Sequence, residues 1–417
     1  MRTGGGALIA PLLSGCRWPE QGFVNPCRPG ALPPDLAGHP LIRAAWSGLR
    51  PGDVWDCHVH LFGTGDTDTG IWINPDMHSL GSPRKVLQRR FYENAACVVR
   101  DQPRIDAQVV ARLVELLDGM RESVPGPIAG QPKAMLFAFD WFHDVHGRPD
   151  RGQTTFHVPD AYARRVARQH PRHFEWVASI HPYRPDAVDA LEAAVARGAR
   201  AVKWLPAAMG IDPAAPQCDA FYAAARRLSI PIISHAGEEL AVDGDAHQRF
   251  GNPLRLRRAL DAGVRVIVAH CASLGADVDL DRGENGPRVE NFALFARMME
   301  EPAYGKLLYG DISALPQSNR AAILGTLLER PHWHPRLLQG SDYPLPGVLP
   351  LYSVKLLVEN GWLEASAAPV LMRLREHNAL LFDFVLKRTL RSRGHAFADS
   401  VFATRLLLGG EPRRDAA

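Results

Sequence analysis

Val54-Trp55-Asp56-Cys57-His58-Val59-His60-Leu61 decides how the rest of the chain is read. Apolar or β-branched residues are interleaved with polar ones over a strand's length, which marks a buried strand. Side chains alternate faces along a strand. The spacing therefore predicts Asp56, His58 and His60 on one face and Cys57 and Val59 on the other. Two imidazoles two residues apart on one face can reach a single cation, and neutral imidazole suits zinc and other divalent transition metals. An isolated His-x-His pair is equally well explained by ordinary hydrogen bonds near a strand end. The rest of the chain has to decide.

Working outward, short apolar strands alternate with helical stretches from Asp53 onward, the pattern of βα units around a parallel sheet. After the strand that ends at His60, strands are expected over 134–140, 176–181, 199–205, 230–235, 264–270, 307–311 and 337–342. Helical composition fills 161–170, 187–197, 219–228 and 254–262, and Gly198 and Gly263 stand just past two of these stretches, where helices often end. Eight strands with intervening helices predict an α/β fold, a closed (β/α)8 TIM barrel, whose working residues sit at the C-terminal ends of strands. Seven of the eight expected strands end in or near His, Asp or Lys, which a purely structural barrel would not need. The segment 62–100 is too long for a plain connection and would lie over that face as a lid. Residues 351–359 and 370–387 read as amphipathic helices, and the tail from about 392 as a strap over the barrel's outside.

Lys and Arg number 48 against 45 Asp and Glu, and the basic residues are scattered, so nothing argues for nucleic acid. No apolar run is long enough to span a bilayer. The six cysteines form no CxxC pair and no zinc-finger spacing, which argues against a disulfide framework. Cys57 and Cys271, each beside a strand histidine, are expected to behave as small apolar residues. At the N-terminus Arg2 precedes a mostly small and apolar run that ends in Leu13-Ser14-Gly15-Cys16. This resembles the lipobox of bacterial lipoproteins, in which the cysteine is lipidated, although the run is short and contains Pro11. The division expected is a signal peptide over 1–15, a linker over 16–50, the barrel over 51–390 and a tail over 391–417. It places the protein in a bacterial envelope, lipid-anchored at Cys16 or periplasmic. The alternative is a disordered tail with an accidental cysteine on a cytoplasmic protein.

Further residues join the first strand's pair. His235 ends Pro231-Ile232-Ile233-Ser234-His235, His270 ends Val264 to His270, and Asp311 ends the seventh strand. Lys203 lies in Ala201-Val202-Lys203-Trp204-Leu205-Pro206 and Asp342 in Gln339-Gly340-Ser341-Asp342-Tyr343-Pro344. By the period of two, His270 shares a face with Val266 and Val268, Asp342 with Gly340, and Lys203 with Ala199 and Ala201. Singly, a terminal Asp is usually a cap and a strand-end His usually a satisfied core group. Together, in this order, they resemble the amidohydrolase superfamily, in particular its second large metal-dependent family. The late Asn378-Ala379-Leu380-Leu381-Phe382 completes the series.

That resemblance implies that His58, His60, His235 and Asp342 hold one divalent metal, expected to be zinc, with His270 close by. It implies attack by a metal-activated water, with Asp342 taking the water's proton and passing it to the leaving group, and His270 polarising a carbonyl or holding the water. Lys203 and His270 could serve a second ion, as in binuclear relatives. The reading adopted is one ion, with Lys203 an ordinary ammonium near the substrate. Arg184 and Trp72 are weaker candidates for contact with a small-molecule substrate. The activity expected is hydrolysis of an amide, ester or lactone. A non-oxidative decarboxylase of the same family is the alternative, and converging arginines beside an aromatic cage would favour it. A non-catalytic envelope-binding protein is disfavoured because no ligand is missing. The oligomeric state is left open.

Overall fold

A computed structural model describes residues 19–410. The expectation of a lipidated Cys16 falls outside the described residues. Eight parallel strands form the centre: β1 Trp55–His60, β2 Lys133–Phe137, β3 Phe174–Val177, β4 Val202–Trp204, β5 Ile232–His235, β6 Val266–Ala269, β7 Leu308–Asp311 and β8 Leu337–Leu338. Ladders join β1 to β2 and β2 to β3, and run unbroken from β4 to β8. Backbone bonds close the two remaining seams. Ala178 N donates to Ala201 O (3.0 Å) and Lys203 N to Ala178 O (2.8 Å) between β3 and β4. Between β8 and β1, Cys57 N reaches Gln339 O (3.0 Å) and His60 N reaches Tyr343 O (3.0 Å). The ring is complete, as the alternation of strands and helices predicts.

The interior is filled from all around the ring by Trp55, Cys57, Met135, Phe137, Val177, Ala201, Ile233, Ile267 and Leu338. This set corrects two expectations about faces. On β1, three steps from Asp56 to Val59 pair with only two on β2, from Ala134 to Leu136. Such a bulge inserts one residue and re-aims the side chains after it. Cys57 therefore joins the interior together with His58 and His60. Asp56 turns away to accept from Ser341 N (2.8 Å) and His58 N (3.1 Å). On β6 it is Ile267 that points inward, while Val266 and Val268 face the surrounding helices. His270 reaches the centre because the chain leaves the strand in left-handed backbone, φ +56° at His270 and +49° at Cys271. Gly340 sits on the inner face as expected, and no Cβ fits there: it would lie 2.7 Å from His58 Cβ.

The outer helices bury one face each. Asp160–Gln169 buries Tyr162, Ala163, Val166 and Ala167, a spacing that matches one stripe of a helix. The stretch 370–387 is two helices, Ala368–His377 and Ala379–Thr389, broken at Asn378. Asn378 leaves helical geometry (φ −146°) and caps the second helix by accepting from Leu381 N. The C-terminal tail plugs the barrel's N-terminal end instead of strapping its outside. Leu408 enters the interior cluster, Thr404 Oγ1 accepts from Trp55 N (3.0 Å), and Val401 O accepts from Gln339 N (2.8 Å). Truncating a buried leucine of this kind costs about 2–5 kcal/mol.

Beyond β1, Trp72–Ile73 pairs antiparallel with Phe156–His157, and helix α1 (Pro83–Ala95) follows. Tyr92 of α1 donates to Ala241 O (2.9 Å), which pins this long segment to the loop after β5, at the C-terminal face. The N-terminal stretch is held down as well. Trp46 is buried against Phe384 (ring centroids 4.5 Å) and donates to Ser123 Oγ. Contrary to the cysteine spacing, Cys27 and Cys97 form a disulfide that ties this stretch to the chain just after α1. Cys57, Cys218 and Cys271 are free and buried.

Candidate metal centre

The ends of β1, β5, β6, β7 and β8 bring four imidazoles and three carboxylates together. His58 Nδ1 lies 2.9 Å from Asp311 Oδ2, so it donates there and its Nε2 is left as the lone-pair nitrogen. His270 Nδ1 is held by Ser313, 2.8 Å from Oγ and 3.1 Å from the carbonyl oxygen. His235 Nδ1 stands 3.3 Å from Glu239 Oε2, and its Nε2 is buried with no hydrogen-bond partner. His60 Nε2 and His58 Nε2 lie 3.0 and 3.3 Å from Asp342 Oδ1, and His270 Nε2 lies 3.7 Å from Asp342 Oδ2. The His58 and His270 rings stack at 4.9 Å, and those of His235 and His270 meet edge-on at 5.3 Å.

One ligand atom each from His58, His60 and Asp342 lies within 4.8 Å of the others, and the same is true of His58, His270 and Asp311. The first group is the better cradle. Asp311 is already committed as an acceptor: Oδ2 to His58, and Oδ1 to His270 N (2.9 Å), Ser313 N (3.0 Å) and the Ser313 hydroxyl. It orients ligands and has no oxygen left over. Nitrogen and carboxylate donors of this kind suit zinc, and the unpartnered Nε2 of buried His235 marks a further position that a cation would satisfy.

Electrostatics agree with neutral imidazoles facing carboxylates. Burial lowers the His58 pKa to about 4, with the Lys203 charge adding to it and Asp311 opposing. Burial also lowers His235 and pushes His270 far down. Burial alone would raise Asp342, but the neighbouring His270, His58 and His60 outweigh it and hold the carboxyl well below its usual range. Lys203, fully enclosed, has its pKa lowered by burial against the pull of Asp311 and Asp342. Its Nζ is 3.3 Å from His58 Nε2 and 5.0 Å from the centre of the Phe137 ring.

His58, His60, His235, His270, Lys203 and Asp342 thus meet in one place. Arg184 and Trp72 do not join them. Arg184 is committed to Asp140 (3.0 Å) and Asp186 (2.7 Å) at a neighbouring cavity of about 440 Å³ past β2 and β3. Trp72 touches Trp141 (5.1 Å), which stacks on His157 (4.2 Å) at the same cavity. Sequence reasoning missed Glu239, Ser313 and Arg320. Glu239 stands four residues after His235, a spacing that could have drawn attention to it. Ser313 and Arg320 sit in the loop after β7, where nothing in the local pattern singles them out.

The amidohydrolase family model matches residues 55–360, and the chain belongs to that family. Its members are metal-dependent enzymes acting on small molecules. No curated protein matches the chain. Among solved structures it is similar to a candidate 2-pyrone-4,6-dicarboxylic acid hydrolase from Pseudomonas putida (16% identity, 85% of this chain and 97% of that one, TM-score 0.42). It is also similar to IDCase from Metarhizium anisopliae in apo form (12%, 88% and 98%, TM-score 0.47). A third is 2,6-dihydroxybenzoate decarboxylase from Rhizobium (15%, 79% and 98%, TM-score 0.36). At these values the likenesses carry no argument about the reaction.

Proposed function

We propose that this protein is a metal-dependent hydrolase acting on an amide, ester or lactone of a small molecule, with one zinc ion held by His58, His60, His235 and Asp342. The observation that carries the reading is the arrangement of the buried imidazoles. Asp311, Glu239 and Ser313 fix Nδ1 of His58, His235 and His270, and each ring turns its Nε2 lone pair into a single cluster, that of His58 also 3.3 Å from Lys203 Nζ. A bound divalent ion supplies Lewis acidity and lowers the pKa of a coordinated water toward neutrality. Asp342, ionised and enclosed, is placed to accept the water's proton and to return it to the leaving group. His270, whose Nδ1 donates to the Ser313 carbonyl and whose Nε2 faces Asp342 Oδ2, can hold the water by accepting its hydrogen bond at Nε2. Lys203 brings a fixed amine to the floor of the site beside Phe137. One ion is preferred to two because Asp311, the carboxylate of the second candidate group, is committed to its four donors.

The test is elemental analysis of protein purified without added metal, followed by a screen of hydrolase and decarboxylase substrates. Absence of a divalent metal, or metal without turnover on any of these substrates, would sink the reading. Titration of the apoprotein decides the stoichiometry. Two ions per chain, with the second lost in Lys203→Ala, would replace the single-ion assignment. A non-oxidative decarboxylase is the second reading, and it is favoured by a buried arginine, Arg320, which is linked through Ser273 to the His270 carbonyl.

We also propose that the mature chain is lipid-anchored at Cys16 in a bacterial envelope. The Leu13-Ser14-Gly15-Cys16 sequence supports this, as does the Cys27–Cys97 disulfide, since disulfides persist in oxidising compartments. Recovering the native protein wholly in the cytoplasm with Met1 retained would exclude it.

A further inference from the structure

Arg320 follows β7 and is 8% exposed. Its guanidinium makes one side-chain hydrogen bond, from Nη1 to Ser273 Oγ (3.0 Å). Among the described residues no carboxylate lies within ion-pair distance of it. Arg375, another deeply buried arginine, shows what a structural role looks like. There Nε, Nη1 and Nη2 donate to the carbonyls of Pro346, Leu349 and Val348 at 2.7, 3.2 and 2.7 Å. A guanidinium has five N–H donors and is always charged, so burying it with one partner is unfavourable unless something completes it.

Arg320 is tied to the metal centre through Ser273, whose N–H donates to the His270 carbonyl (3.0 Å). Asp342, Glu239 and Asp311 all act on its charge, against the effect of burial. None of them is free to pair with it. Asp342 faces His60, Glu239 accepts from Ala241 N (2.6 Å) and Val242 N (3.1 Å) and faces His235, and Asp311 is saturated. A divalent ion in the cradle would place two further positive charges beside the guanidinium. With Lys203 charged, that makes four positive charges against three carboxylates, which leaves room for one anion from outside, and the planar fork of a guanidinium matches a carboxylate.

We propose that Arg320 is the anchor for a substrate carboxylate, so that the substrates of this site are small carboxylic acids bound between Arg320 and the metal centre. This rests on the metal-site reading above for the second anchor but not for Arg320 itself. It also accommodates both reactions under consideration. A carboxylate at Arg320 would be a handle in a hydrolase and the departing group in a decarboxylase.

The experiment is calorimetric binding of succinate, glutarate and phthalate, each against its diamide, to protein with and without one equivalent of zinc. The diamide replaces both carboxylates with neutral groups of the same shape. Wild type is expected to prefer at least one diacid by about 10- to 150-fold, the range for hydrogen bonds to a charged group. Arg320→Gln should erase that preference while zinc content and thermal midpoint stay unchanged. Arg320→Lys, which keeps the charge and loses the fork, should retain only part of it and serves if the Gln variant does not fold. No preference for any diacid in wild type overturns the proposal, and so does an unchanged preference in either variant. Zinc stoichiometry is read separately on the same samples. A chain that binds no zinc but still discriminates the pairs through Arg320 removes the metal reading and leaves this one standing.

Discussion

Two histidine-rich pockets lie side by side at the C-terminal face of the barrel, and only one is built to hold a cation. In the first, His58, His235 and His270 each have Nδ1 fixed by a side chain or carbonyl, and their Nε2 atoms are left with Asp342 among them. In the second, past β2 and β3, His181 points Nε2 at Met209 O (2.9 Å) and His143 points Nδ1 at Trp141 O (2.9 Å). There Arg184 is paired with Asp140 and Asp186. Both pockets contain histidine, aspartate and an aromatic ring. The difference lies in what the remaining nitrogens meet: in the first pocket Nε2 atoms converge on Asp342, whereas in the second His181 is engaged at both nitrogens, its Nδ1 accepting from Tyr183 N (3.2 Å), and Arg184 takes the carboxylates.

The contrast is easiest to break at the ligands. His60→Ala or Asp342→Ala should abolish bound metal and activity while the circular dichroism spectrum stays native. Full metal content in both variants would show that the cradle has been misplaced. The next effect in size belongs to the orienting shell. Asp311→Asn can no longer hold His58 as firmly, and metal affinity should fall by about 10- to 100-fold, read by competition with a chelator. An unchanged affinity would mean that Nδ1 fixation does not matter here.

A smaller effect belongs to the second pocket's surroundings, where a carboxylate instead of a ligand dominates. Burial raises the pKa of Asp160 from 3.8 to about 7, helped by the charge of Asp140 and opposed by Ser179 N and Arg184. The folded state therefore binds more protons than the unfolded state between pH 4 and 7. Its stabilising contribution is fully present below the unfolded value and is lost as pH rises through the folded one. Asp160→Asn should flatten that fall, measured as urea midpoints at pH 5 and pH 8. An equal fall in the variant would refute the assignment. The smallest effect sharpens the comparison from the other side. His181→Gln should leave metal content unchanged, because that ring is spent on the Met209 carbonyl and on packing against His143, and loss of metal in this variant would merge the two pockets into one.

Much of the barrel was legible because β strands buried on both faces read as continuous apolar runs, and helices reveal themselves by spacing. Val266–Ala269 and Ile232–His235 stand within the expected bounds, and Gly198 and Gly263 end their helices with φ of +88° and +82°. The bulge in β1 was not legible, because it depends on pairing with β2, and the strict period of two put Asp56 on the wrong face. The same holds for His270, whose direction comes from left-handed backbone after the strand. The break at Asn378 is a capping event inside an otherwise unbroken amphipathic pattern. The disulfide joins cysteines 70 residues apart, and no local spacing announces it.

By itself the sequence determined the strand-and-helix order and the residue types that end the strands. These depend on local propensity and on hydrophobic period, which are written in neighbouring residues. Only the tertiary structure decided which imidazole nitrogen faces the cluster, that Asp311 holds His58, that Leu408 plugs the barrel, and that Arg320 is buried with no carboxylate within ion-pair distance among the described residues. Each of these is a contact between segments far apart in the chain. Its geometry is set by how the ring closes, which no stretch of sequence carries alone.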